Sequence, residues 1–92
     1  MQISDYLKGV VAMKRTGVTS SYIRSVGYDA GMRILEIEFT DGAINQYCAV
    51  SEATYTALMN SHSKGKYYDS HIRAVGYLYA QIRKLDNTHA PG

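Results

Sequence analysis

Residues 33–39 read Arg33-Ile34-Leu35-Glu36-Ile37-Glu38-Phe39, and their period decides the fold. Leu35, Ile37 and Phe39 alternate with Ile34, Glu36 and Glu38, the two-residue repeat of a strand with one face on a core and the other in water. Turn residues bound it on both sides, Asp29-Ala30-Gly31 before and Thr40-Asp41-Gly42 after. Glycine there supplies unusual dihedrals and aspartate a local hydrogen bond, so the chain reverses. Reading outward gives three antiparallel strands spanning 22–29, 32–40 and 43–50. The third lacks clean alternation, as expected of a strand covered on both faces or lying where a ligand or second subunit pairs. Glu36 and Glu38 are expected to face solvent.

Beyond the strands the period becomes helical. Ser51 is a favourable N-cap, Glu52 suits the first turn, and Val50 with Tyr55 has the spacing of a hydrophobic staple. A helix is therefore expected over 52–60, with Tyr55, Leu58 and Met59 toward the sheet. Ser63 caps a second, expected over 64–73, where Tyr68, Ile72 and Val75 form an inward stripe and Tyr67 points outward. Val75, Leu78, Tyr79 and Ile82 continue at helical spacing toward Leu85. At the other end Ile3, Tyr6, Leu7, Val10 and Val11 share one helical face, and residues 16–21 read as a connector. The expected class is α+β: a three-stranded antiparallel β-meander packed with helices, plus helical extensions at the N- and C-termini.

Composition bounds the function. Ninety-two residues support one modest core, so burial in a homo-oligomer is expected to help. The formal charge of +2 is small, but it is unevenly placed. Residues 20–60 carry two arginines against five acids, net −3, whereas residues 61–85 carry five bases against one acid, net +4. The single cysteine, Cys48, cannot form an internal disulfide, and no secretory pattern or membrane-length apolar run occurs. A cytoplasmic location away from the membrane is expected. Of the aromatic residues nine are tyrosine and one is phenylalanine, so most of the aromatic area carries a hydroxyl suited to half-buried, ligand-contacting faces.

The segment Ser20-Ser21-Tyr22-Ile23-Arg24, then Gly27-Tyr28-Asp29, the Leu35 to Phe39 strand, the Gly42 turn, Tyr47, Val50, Tyr55, Ser63-Lys64-Gly65 and His71-Ile72-Arg73 occur in one order over about 54 residues. In this the chain resembles the KTSC domain, named for its occurrence at the C-terminus of some lysyl-tRNA synthetases. The resemblance implies a small β-meander followed by helices, found alone or fused to larger proteins, with RNA as the suspected ligand. It divides the chain into an N-terminal helix and connector (1–19), a KTSC-like domain (20–73) and a C-terminal helical extension and tail (74–92). Small stand-alone members occur in bacterial and phage genomes. One departure is internal: the family's Tyr-x-Tyr is here Asn45-Gln46-Tyr47, without the first aromatic residue.

No spacing supports catalysis. Cys48 has no histidine placed as a base by any known pattern and reads as a small apolar strand residue, and no metal-ligand spacing is present. Neither a cofactor nor enzymatic activity is expected. The basic stretch is more informative, because Lys64, Gly65 and Lys66 occupy a helical first turn where acids are favourable and an anion would be neutralised. On that helix Lys64 shares a face with Tyr68, and Tyr67 with His71, while Arg24 and Arg73 offer bidentate phosphate contacts. The expected ligand-binding residues are Lys64, Gly65, Lys66, Tyr67, His71, Arg73 and Arg24. The expected function is non-catalytic binding of a phosphate-bearing ligand, RNA favoured. The alternatives are a homo-oligomer, phage-encoded in one version, that sequesters a free nucleotide or nucleotide signalling molecule, and a protein–protein interaction module.

Overall fold

The computed structural model describes residues 13–83. Its frame is one antiparallel sheet of five strands in sequential order: β1 (Thr16–Gly17), β2 (Ile23–Asp29), β3 (Ile34–Phe39), β4 (Ile44–Tyr47) and β5 (Tyr79–Arg83). Between β4 and β5 lie helix α1 (Glu52–Asn60), helix α2 (Lys64–Tyr68) and a single π-helical turn, Asp69–Arg73. The two helical ranges follow the caps read from the sequence. Ser51 Oγ accepts from the Thr54 amide at 3.2 Å, and Ser63 Oγ accepts from the Lys66 amide at 3.4 Å.

The three-stranded meander is thus only the centre of the sheet. Thr16–Gly17, expected as connector, pairs with Val26 and Ser25 of β2. The expected C-terminal helical extension is corrected more substantially, because residues 79–83 form a strand that pairs with β4. Gly76, at φ +87°, turns the chain out of the π turn in a conformation that favours glycine. Tyr79 then stacks on Tyr47 at 5.3 Å, and Val75, Leu78 and Tyr79, expected on a helical core stripe, are exposed. Residues 84–92 and the N-terminal helix expected over 3–11 lie outside the described residues. Among the described residues no helix is long and apolar enough to cross a membrane.

The meander register matches the alternation of β3. Leu35 and Ile37 are fully buried and Phe39 nearly so, in a core with Ile23, Val26, Val50, Leu58, Tyr68 and Ile72. β4, lying between β3 and β5, is buried along its whole length, the first of the two options its irregular pattern allowed.

The opposite sheet face departs from expectation. Glu36 is 0% exposed. The reason lies across the sheet at Gly27, which pairs with Glu36. A Cβ there would sit 2.6 Å from the Lys14 carbonyl oxygen, so the missing side chain lets residues 13–15 cross over the face. Arg15 then covers the carboxylates: Nη1 ion-pairs with Glu36 Oε2, and Nε donates to Ser25 Oγ at 3.0 Å. Gln46 Nε2 donates to Glu36 Oε1 at 2.6 Å, and Arg83 Nη2 to Glu38 Oε2 at 2.8 Å. A polar layer, rather than water, closes this face.

Candidate functional site

Two serine turns build the site. Ser20 Oγ accepts from the amides of Tyr22 and Ile23, each at 3.1 Å, which fixes the loop entering β2. Ser61 Oγ accepts from the Ser63 amide at 3.1 Å and donates to the Ser63 carbonyl at 2.9 Å, which fixes the link between α1 and α2. These side-chain bonds give the backbone local partners where neither ladder nor helix supplies them. The loops face one another because Tyr22 packs on Phe39 and Tyr68, with ring centroids at 5.2 and 5.9 Å, and lies against Gly65.

The result is a groove of about 570 Å³. Thr19, Ser20, Ser21 and Tyr22 form one wall, and His62, Ser63, Lys64, Gly65 and Lys66 the other, with Asp69 beside them. Lys64 is half-buried and donates from Nζ to the Ser61 carbonyl at 3.0 Å, so its charge is held at the wall. Lys66 is exposed. Asp69 opposes an anion electrostatically, but its carboxylate already accepts from Arg73 Nε at 2.9 Å.

Of the seven residues singled out from sequence, the structure gathers Lys64, Gly65 and Lys66 in this groove. The other four are elsewhere. Arg24 is exposed and donates from Nη2 to the Thr40 carbonyl at 3.2 Å. Tyr67 is half-buried against the core, and its ring stacks on His71 at 4.2 Å. The His71 Nδ1 lies 3.0 Å from the Ser70 hydroxyl. Arg73, tied to Asp69, lines a separate cavity with Asn45, Tyr47 and Tyr68. Sequence reasoning did not assign Thr19, Ser21, Tyr22 or His62 to the site. The run of small hydroxyl residues over 19–21 was the available signal, and it read as a connector.

Below the groove Tyr68 joins the polar interior. Asn45 Nδ2 donates to the Tyr47 hydroxyl at 3.0 Å, and the Tyr47 and Tyr68 hydroxyls are 2.5 Å apart. Burial is the main cause that raises the pKa of both phenols; for Tyr68 the bond to Tyr47 adds to it, whereas the bonds made by Tyr47 partly offset its rise. Both therefore stay protonated through the neutral range. Cys48 lies just past β4 and is exposed, not packed on a strand.

The described residues thus form a small five-stranded antiparallel sheet carrying two short helices, with the serine-lysine groove between the loop entering β2 and the link between α1 and α2. The chain belongs to the KTSC domain family, whose model matches residues 19–77. It is 39% identical over 70 residues to an uncharacterized protein of Stutzerimonas stutzeri (strain A1501), a match covering 76% of this chain and 99% of that one. The crystal structure of a KTSC domain protein from Yersinia pestis is also similar, with 39% identity and a TM-score of 0.71, covering 77% of this chain and 99% of that chain. Both relatives are thus small proteins consisting of little besides this unit.

Proposed function

We propose that this KTSC protein is a non-catalytic binding module for a phosphate-bearing ligand, with RNA the favoured class. The observation that carries the reading is the groove itself, which sets Lys64 and Lys66 across from hydroxyl side chains and the half-exposed Tyr22 ring. Ammonium and hydroxyl groups position phosphates, and an aromatic face accepts a stacked base. A volume of about 570 Å³ lies within the roughly 300–1,000 Å³ range of small-ligand sites. It therefore suits one nucleotide of a single strand better than a duplex.

The test is fluorescence anisotropy with a labelled single-stranded RNA over a salt series, comparing wild type with Lys64→Ala/Lys66→Ala. The double variant is expected to bind several-fold more weakly, with a shallower salt slope because fewer counterions are exchanged. Equal affinity and equal slope, or no RNA binding by wild type at low salt, would reject the reading. The homo-oligomer reading has one observation in its favour. Among the described residues β5 lies at an edge of the sheet, and Leu78 just before it is 78% exposed, a combination that invites strand pairing. Light scattering would decide it, since a mass near the 10.2 kDa of one chain excludes assembly.

A further inference from the structure

Asp69 is the groove residue that phosphate binding does not explain. It lines the same space as Lys64 and Lys66, and a carboxylate there repels the phosphate that the lysines attract. It stands three residues after Lys66, a spacing at which opposite charges on a helix can meet, yet the two form no ion pair among the described residues. Arg73 takes the place of Lys66, donating from Nε to Asp69 Oδ1 at 2.9 Å. Two groups at the groove wall are thereby left without a partner among the described residues, the Lys66 ammonium and the second Asp69 oxygen, Oδ2. The Asp69 side chain is 54% exposed, so a ligand in the groove can reach it. The backbone fixes its position. Its amide donates to the carbonyls of Gly65 and Lys66, and its own carbonyl accepts from the Ala74 amide at 3.0 Å, the wider spacing of a π turn. Such turns are frequent at functional sites.

A ribonucleotide supplies what both groups lack. Its phosphate neutralises the Lys66 ammonium, and its ribose carries a 2′-hydroxyl, a donor for which a carboxylate oxygen is an established acceptor. Because Arg73 already balances the carboxylate charge, Asp69 can accept that bond with less repulsion of the phosphate. A deoxyribose offers it nothing. The carboxylate then stays beside the phosphodiester backbone with no bond in return, and an uncompensated like charge is one way in which a site rejects the wrong ligand. The 2′-hydroxyl is also the group by which a protein tells RNA from DNA.

We infer that Asp69 determines the sugar specificity of the groove: Oδ2 accepts from a ribose 2′-hydroxyl and so selects RNA over DNA. The inference rests on the RNA reading for its ligand and adds the part of the nucleotide that is recognised. Labelled single strands of one uracil-containing sequence, built on ribose, 2′-deoxyribose or 2′-O-methylribose, are titrated with the full chain by fluorescence anisotropy at one low salt concentration. Wild type is expected to bind the ribose strand about tenfold or more tightly than either of the others, a comparison that needs no variant. Asp69→Ala should bring the RNA-to-DNA affinity ratio close to one, weakening RNA and strengthening DNA, while its melting temperature changes little because an exposed ion pair contributes little. Arg73→Ala breaks the same ion pair but keeps the carboxylate, and should retain the preference for RNA, which a merely structural role of the pair would not allow. Failure of wild type to bind RNA overturns the RNA reading and this inference with it. RNA binding matched by the deoxyribose or 2′-O-methyl strand, an undiminished preference for RNA in Asp69→Ala, or its loss in Arg73→Ala overturns this inference alone.

Discussion

Removing Arg15 tests the polar layer on the second sheet face. In Arg15→Ala the fully buried Glu36 carboxylate keeps Gln46 as its remaining described partner, and Ser25 loses its guanidinium contact. Breaking a buried ion pair from one side costs about 3–5 kcal/mol, because a charge is left in low dielectric. Arg15 keeps 24% of its side chain in water while Glu36 keeps 0%. Partial access for solvent lowers the expected loss to about 2–4 kcal/mol. At roughly 4–8 °C per kcal/mol for a domain of this size, the melting temperature should fall by about 8–32 °C. Urea denaturation followed by circular dichroism measures the loss directly. The companion variant Arg15→Met/Glu36→Leu replaces both charges with apolar groups and should recover most of it, since apolar replacement of a buried pair is often neutral or stabilising. The reasoning fails if Arg15→Ala alone costs less than about 0.5 kcal/mol, or if the double variant is as unstable as the single one.

Three other perturbations bear on the same architecture. Burial raises the Glu38 pKa, but the Ser25 hydroxyl, Arg15 and Arg83 together outweigh it and hold the carboxyl below the usual glutamate range. A depressed folded pKa means stability that is present above the unfolded value of about 4.3 and lost as pH falls through the folded one; denaturation midpoints from neutral to acid pH should show this loss, and Glu38→Gln should flatten it. The phenols of Tyr47 and Tyr68 are shifted the other way, so their contribution is complete below the unfolded value of about 10 and is lost as pH rises beyond it. Tyrosinate absorbance should rise together with unfolding in strong base, and Tyr47→Phe/Tyr68→Phe should weaken that coupling. Gly27→Ala drives a Cβ into the Lys14 carbonyl and the Arg15 stem, so it should cost about 1–3 kcal/mol and shift the Arg15 resonances, an outcome that a merely propensity-driven loss would not give.

One wall of the candidate site was legible, and the part that was not has a common cause. Ser63 and the Lys64-Gly65-Lys66 run declared a capped basic turn, and the groove is lined by those residues. The facing wall was hidden because Thr19, Ser20 and Ser21 acquire meaning only when Tyr22 brings their loop against Gly65. Tyr67 and His71 share a helical face as their spacing required, yet they stack on each other outside the groove. Spacing fixes which residues are neighbours on one element, not which space the element faces. Asn45 was visible only as a departure from a motif; its burial depends on β5, which pairs with it at Gln81.

Local patterns in the chain were enough for the three central strands, the burial of Leu35, Ile37 and Phe39, and the two capped helical starts. Each of these is a local matter of side-chain period, turn chemistry or capping within a few residues. Tertiary structure alone decided that β1 and β5 extend the sheet, because Val75, Leu78, Tyr79 and Ile82 fit a helical repeat until Gly76 turns the chain and β4 offers its ladder. It also decided that Glu36 is buried. Alternation says that Glu36 faces away from Ile37, but whether water or Arg15 meets it there depends on a segment some twenty residues earlier in the chain, held over Gly27.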